Sequence, residues 1–111
     1  MIITLRALAA EAETKWHADP DRLSKAIQIV EQKTSIYNQH CAPGEWDVRS
    51  QHNGWYHVDT KAHSCTCTDS QTGHVCKHRL AVWLHVQANI RSYAEVSRKP
   101  ESQIMRELGY A

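Results

Sequence analysis

Cys65-Thr66-Cys67, eight intervening residues, then Cys76-Lys77-His78 constrain this chain more than any other stretch. Three thiols and an imidazole are the donor set of a closed tetrahedral zinc site. If Cys65 and Cys67 end an extended segment, the two-residue alternation turns both sulfurs to one side, near enough to share an ion at Zn–S of about 2.3 Å. Cys76 and His78 open an apolar run that reads as a helix. Residues two apart do not share a helix face, so these two converge only if Cys76 lies at or before the first turn. The helix N-terminus then faces the ion, where its unpaired N–H groups and positive dipole end offset the net charge near −1 of three thiolates on one zinc. Gly73 lets the intervening loop turn back.

Three other readings of these cysteines compete with zinc. Disulfides need an oxidising compartment, whereas the chain opens on Met1-Ile2-Ile3-Thr4 with no apolar signal segment, which favours a reducing one. A Cys-x-Cys redox pair leaves Cys76 and His78 without a role. Thiols that merely pack as small hydrophobes do not account for the spacing. Cys41, beside His40 and before Ala42-Pro43-Gly44, reads as a packed or half-exposed thiol at a helix end. Histidines 17, 40, 52, 57, 63 and 85 read as solvent-facing or packed side chains. His74, two residues before Cys76, is the one other imidazole placed to replace His78.

The four-ligand pattern resembles the SWIM zinc finger, whose signature is Cys-x-Cys, a variable loop, then Cys-x-His. Val75-Cys76-Lys77-His78-Arg79-Leu80-Ala81-Val82-Trp83-Leu84 is similar to the family's Cys-Lys-His helix start, and Gly54-Trp55-Tyr56-His57-Val58 to its hairpin strand. The likeness covers roughly residues 46 to 86. Thr68-Asp69-Ser70 departs from the Pro-Asp-aromatic found after the second cysteine in many relatives. The resemblance implies one structural Zn2+ held by Cys65, Cys67, Cys76 and His78. It also implies DNA binding or protein–protein interaction, in settings such as Mutator-type transposases, remodelling helicases and recombination factors.

At 111 residues, with 41% hydrophobic and 23% charged, the chain is expected to be one small soluble domain whose modest core a metal would assist. No stretch is apolar for the ~18 residues that a membrane span needs. There is no Phe and there are four tryptophans, so Trp16, Trp46, Trp55 and Trp83 are expected to carry the aromatic packing. Leu5, Leu8, Ala9, Ala12 and Trp16 recur at helical spacing after Thr4, a suitable N-cap. Asp19-Pro20 is a cap and first-position pair for a second helix with Leu23, Ala26, Ile27 and Val30 on one face, expected to run to about Asn38. A hairpin follows. A loop over His52, Asn53 and Gly54 pairs Val48 with Val58 and Ser50 with Tyr56, which gathers the apolar residues on one face and turns Arg49, Gln51, Trp55 and His57 the other way. A core helix from about Val75 to Tyr93 and a short piece with Ile104, Met105 and Leu108, capped by Gly109, complete the chain. The fold expected is α+β: N-terminal helices packed on a β-hairpin, then a zinc knuckle and a C-terminal core helix, the SWIM-type ββα arrangement. Its segments are 1–44 (helical), 45–93 (finger) and 94–111 (tail), in one compact domain.

Four ligands fill a zinc ion and no carboxylate is placed as a general base, so no enzyme and no small-molecule substrate are expected. The net charge is +1 and the pI about 7.8, a weak electrostatic footprint for a nucleic-acid binder. Residues 61–99, however, hold six cations (Lys61, Lys77, Arg79, Arg91, Arg98, Lys99) against Asp69 and Glu95, a local +4, or about +3 with zinc on three thiolates. Lys61, Lys77, Arg79 and Arg49 are therefore the candidate nucleic-acid contacts, with DNA favoured and Trp55 or His57 adding contacts. The alternative is a protein-interaction adaptor or an accessory subunit of a larger DNA-processing complex, docking through the Ile104, Met105 and Leu108 stripe. The expected location is cytoplasmic, or nuclear in a eukaryote.

Overall fold

A computed structural model describes residues 4–32, 35–38, 44–49, 54–97 and 103. Two capped helices come first. In α1 (Leu5–Trp16) the Thr4 hydroxyl accepts from the Ala7 N–H at 3.1 Å, and in α2 (Pro20–Glu31) the Asp19 carboxylate accepts from the Arg22 N–H at 3.0 Å with Pro20 at the first position. Each cap satisfies an amide that the helix itself leaves unpaired.

The second helix stops at Glu31 and does not reach Asn38. Gln32 is already extended, at φ −82° and ψ 107°, and Ile36–Asn38 form strand β1. Ile36 and Tyr37 suit a strand better than a helix, and pairing with β2 (Glu45–Arg49) gives them partners: Ile36 opposite Val48, Tyr37 opposite Asp47 and Asn38 opposite Trp46. With β3 (Trp55–Asp59) and β4 (Ser64–Cys65), the expected hairpin sits inside a four-stranded antiparallel sheet in the order β1-β2-β3-β4.

The hairpin register also differs from expectation. Val48 lies opposite Tyr56 and not Val58, which faces Trp46, and the ladder ends with Arg49 opposite Trp55. The connection is thus two residues longer than a three-residue loop, and a shift of two preserves side-chain facing. Trp46, Val48 and Val58 are buried on the inner face as expected, while Arg49 and Trp55 are exposed. Gly44, at φ +82°, starts β2 where a Cβ would stand 3.0 Å from both Lys61 Cγ and Thr60 Oγ1. Its carbonyl accepts from the Thr60 N–H at 2.8 Å, which closes that end of the β2–β3 pair.

Helix α4 (Lys77–Ser97) outlasts its expected end at Tyr93 by four residues and is the spine of the molecule. On one side Leu80, Ala81 and Leu84 pack with Leu8, Ala9, Ala12, Ala18, Leu23 and Ala26 of the N-terminal segment. On the other side Val82 packs with Trp46, Val48, Val58 and the three cysteines. The N-terminal helices accordingly pack chiefly on α4 and not on the hairpin, and a helix covered from both sides has to be apolar on most of its faces. The tryptophans divide. Trp46 is buried, Trp83 is half-buried, and Trp16 and Trp55 keep about half their surface in solvent. Among the described residues no helix is long and apolar enough to cross a membrane. The expected Ser50–Tyr56 pair does not form, since Tyr56 stands opposite Val48; the loop residues His52 and Asn53, with Ser50, Gln51, His40, Cys41, Arg98, Lys99 and the Ile104–Gly109 piece, lie outside the described residues.

Candidate metal centre

Four short structural devices carry the four side chains. Asp59 Oδ1 accepts from the amides of Lys61 and Ala62 at 2.9 and 3.0 Å, turning the chain after β3. That turn pairs Val58 with Cys65, so the Cys65 thiol faces inward. Thr66 continues the join, its amide bonded to the His57 carbonyl and its hydroxyl accepting from the His57 N–H. Cys67 caps the one-turn helix α3 (Thr68–Gln71), its sulfur accepting from the Ser70 N–H at 3.4 Å. Gly73, at φ +94°, then reverses the chain. Cys76 stands immediately before α4, with its sulfur accepting from the Arg79 N–H at 3.5 Å and its carbonyl from Leu80. His78 follows on the first turn.

Convergence of Cys76 and His78 required the cysteine to sit at the helix start, and it does. The ligand atoms of Cys65, Cys67, Cys76 and His78 all lie within 4.8 Å of one another, and all four residues are buried. Tyr56 packs on the imidazole, ring centroids 4.3 Å apart. His78 Nδ1 is buried and has no hydrogen-bond partner among the described residues, an arrangement that is costly unless an unseen partner takes its lone pair. Three buried sulfurs beside an orphaned imidazole nitrogen fit a soft, four-coordinate ion and little else.

The protonation pattern points the same way. A hydrogen bond from Cys65 is the largest influence drawing the Cys76 thiol well below its ordinary range, against desolvation and with further help from His78 and the Arg79 amide. That same contact pushes Cys65 up, and burial pushes Cys67 up. Cys76 stands at the start of the 21-residue helix α4, where the dipole favours a thiolate. A divalent ion is what allows all three to ionise.

His74 is not part of this cluster. It is exposed, with Nδ1 3.0 Å from Thr72 Oγ1 and 3.4 Å from Asp69 Oδ1. Asp69 in turn receives a two-pronged bond from Arg22, both contacts at 2.8 Å, which fastens the helix that Cys67 caps to the start of α2. The guanidinium holds the Asp69 carboxyl below its usual range. Nothing local in the sequence marks this clamp, because its partners are 47 residues apart.

The candidate nucleic-acid residues do not form one patch. Lys77 lines a recess of about 450 Å³ over the cluster, together with Arg22, Lys25, Asp19, Asp21 and Asp69. Arg79 lines a neighbouring cleft of about 690 Å³. Lys61 lies just beyond Asp59, at the end of the β2–β3 ladder opposite to Arg49, some 13 Å away at the usual rise per residue. Arg49, Trp55 and His57 share the outer sheet face with Glu45, Asp47 and Asp59, three carboxylates against one guanidinium.

Three cysteines and a histidine brought together by a strand end and two helix starts define a structural zinc module, with one candidate site for a single ion. Residues 53–87, the stretch that holds all four candidate ligands, match the family model of the SWIM zinc finger. No curated protein and no solved structure matches the chain.

Proposed function

We propose that the chain is a non-catalytic module of the SWIM ββα type that binds nucleic acid, DNA favoured, through the surface beside the zinc knuckle. One observation carries this reading. Lys77 and Arg79, on either side of the ligand His78, make no ion pair among the described residues, whereas Arg22, Lys25, Lys15 and Arg91 are each paired with a carboxylate. A cation with no partner of its own is available to a phosphate, and the zinc site fixes the backbone that presents it. Affinity for a short oligonucleotide should fall steeply with salt, and Lys77→Glu with Arg79→Glu should weaken it by at least tenfold while zinc content stays at one per chain. Binding that ignores both salt and these charges refutes the reading.

A protein-adaptor role has its own support. Tyr37 and Trp55, each about half exposed, meet edge-to-face at 5.4 Å on the outer sheet face, and exposed aromatics are typical interface anchors. The surrounding carboxylates would repel phosphate and suit a basic partner. Trp55→Ala should then abolish partner capture and leave nucleic-acid affinity unchanged. The C-terminal stripe is the other docking element, and truncation after Pro100 tests it in the same assay.

A further inference from the structure

The cleft lined by Arg79 lies between the C-terminal end of α1, the β3–β4 turn and the first turns of α4, and it differs in character from the zinc recess. At about 690 Å³ it is within the size range of small-ligand sites. Its walls include Trp16, Trp83 and Val75, and Trp16 and Val75 are among the few large apolar side chains left about half exposed. Trp83 meets Trp16 edge-to-face, centroids 4.4 Å apart at 72°, so the Trp16 ring is held in orientation while much of it stays open. Three histidines, His17, His63 and His74, complete the rim. His17 and His63, at φ 53° and 54°, are the only non-glycine residues with positive φ among those described, and both line this cleft. His17 occupies the helix-capping position that glycine takes at least cost, and strained non-glycine residues of this kind gather at ligand clamps.

We propose that this cleft holds an unpaired nucleotide of a single strand, its base stacked on Trp16 and its phosphate on Arg79, a proposal that rests on the nucleic-acid reading above and specifies its form. The chemistry is complementary: a flat apolar platform, a guanidinium with no ion-pair partner among the described residues, and imidazole donors at the rim. Asp19, the carboxylate on this wall, is occupied by the Arg22 amide and lies 3.8 Å from its guanidinium. An extended peptide is a poorer occupant, since β3 is paired with β2 and β4 along the part that faces the cleft and offers no strand edge. A duplex is poorer too, because stacked and paired bases cannot enter a concave site.

The test is binding of the zinc-loaded full chain to a fluorescent 15-nucleotide thymidine strand, to a duplex of equal length, and to thymidine monophosphate. The single strand should bind more tightly than the duplex. Trp16→Ala should weaken single-strand binding by about tenfold or more, the usual loss for one stacked base, and Arg79→Gln should weaken it and flatten its salt dependence by about one ion. Trp16→Phe, which keeps a stacking ring, should restore most of the affinity, a rescue that a merely misfolded variant would not show. Duplex binding with no single-strand binding, or single-strand binding indifferent to both variants, overturns the cleft and leaves the nucleic-acid reading standing. Tight binding of the monophosphate with no gain from the longer strand overturns it in favour of a small-molecule site. No binding to any of the three defeats both proposals.

Discussion

The two halves of the core that meet at α4 are built on different principles. On the N-terminal side nine buried residues are alanines and leucines, and small side chains let three helices approach closely and bury apolar surface without further aid. On the sheet side three of the seven buried residues are cysteines. Sulfur atoms that close together do not behave as packing alone: buried thiolates repel one another and cost desolvation. One half is therefore stable by packing, and the other is assembled around an ion whose binding energy is part of its folding energy. The helical half should therefore hold without the metal, and the sheet half should not.

Removing the ion is the largest way to break that contrast. Structural zinc in small fingers contributes an apparent 10–16 kcal/mol, as much as the whole stability of an ordinary domain. Chelation, or Cys76→Ser, should strip amide protection from β2 to β4 and the first turns of α4 while α1 and α2 keep theirs, as read by hydrogen exchange. Equal loss in the two halves would show that the cores are one.

The converse substitution sharpens the same contrast. Leu84 is fully buried among the helices, and Leu84→Ala should cost about 2–5 kcal/mol through the cavity it leaves. Denaturant titration measures the loss, and zinc content should remain one per chain. A variant that also loses its zinc would mean that the spine transmits damage from one side to the other.

How far each half could be read from the sequence follows from how local its determinants are. Thr4, Asp19 and Pro20 act on the turn beside them, and Cys65, Cys67, Cys76 and His78 lie within one short stretch, so caps and ligands were legible. The end of α2 was not. Ile36 and Tyr37 fall seven residues after Ile29 and Val30, a helical spacing, and only pairing with Val48 and Asp47 makes them a strand. The facing of the hairpin was legible from alternation, but its register was not, because a shift of two residues leaves the pattern unchanged. Summed charge misled most. Arg91, counted toward a basic segment, is bound at 2.6 and 2.7 Å by Glu11, 80 residues away, and a linear sum does not see such a partner.

That ion pair gives the smallest of these effects and the one most specific to the helical half. The Arg91 guanidinium, followed by Lys15, holds the Glu11 carboxyl at about 2, down from 4.5. A group whose folded pKa is depressed contributes stability that is fully present above its unfolded value and is lost as pH falls through the folded one. With both side chains about a quarter exposed, solvent screening leaves about 1–2 kcal/mol of the nominal linkage energy. Glu11→Gln should therefore destabilise the protein by that amount near neutrality. The gap between variant and parent should hold down to about pH 5, narrow between 4.5 and 2, and close below. Because Glu11 and Arg91 join α1 to α4 away from the sulfurs, the gap should be the same when the helical half is measured with chelator present. A gap that depends on zinc, or one that persists below pH 2, would place the source of this stability elsewhere than in the charge on Glu11.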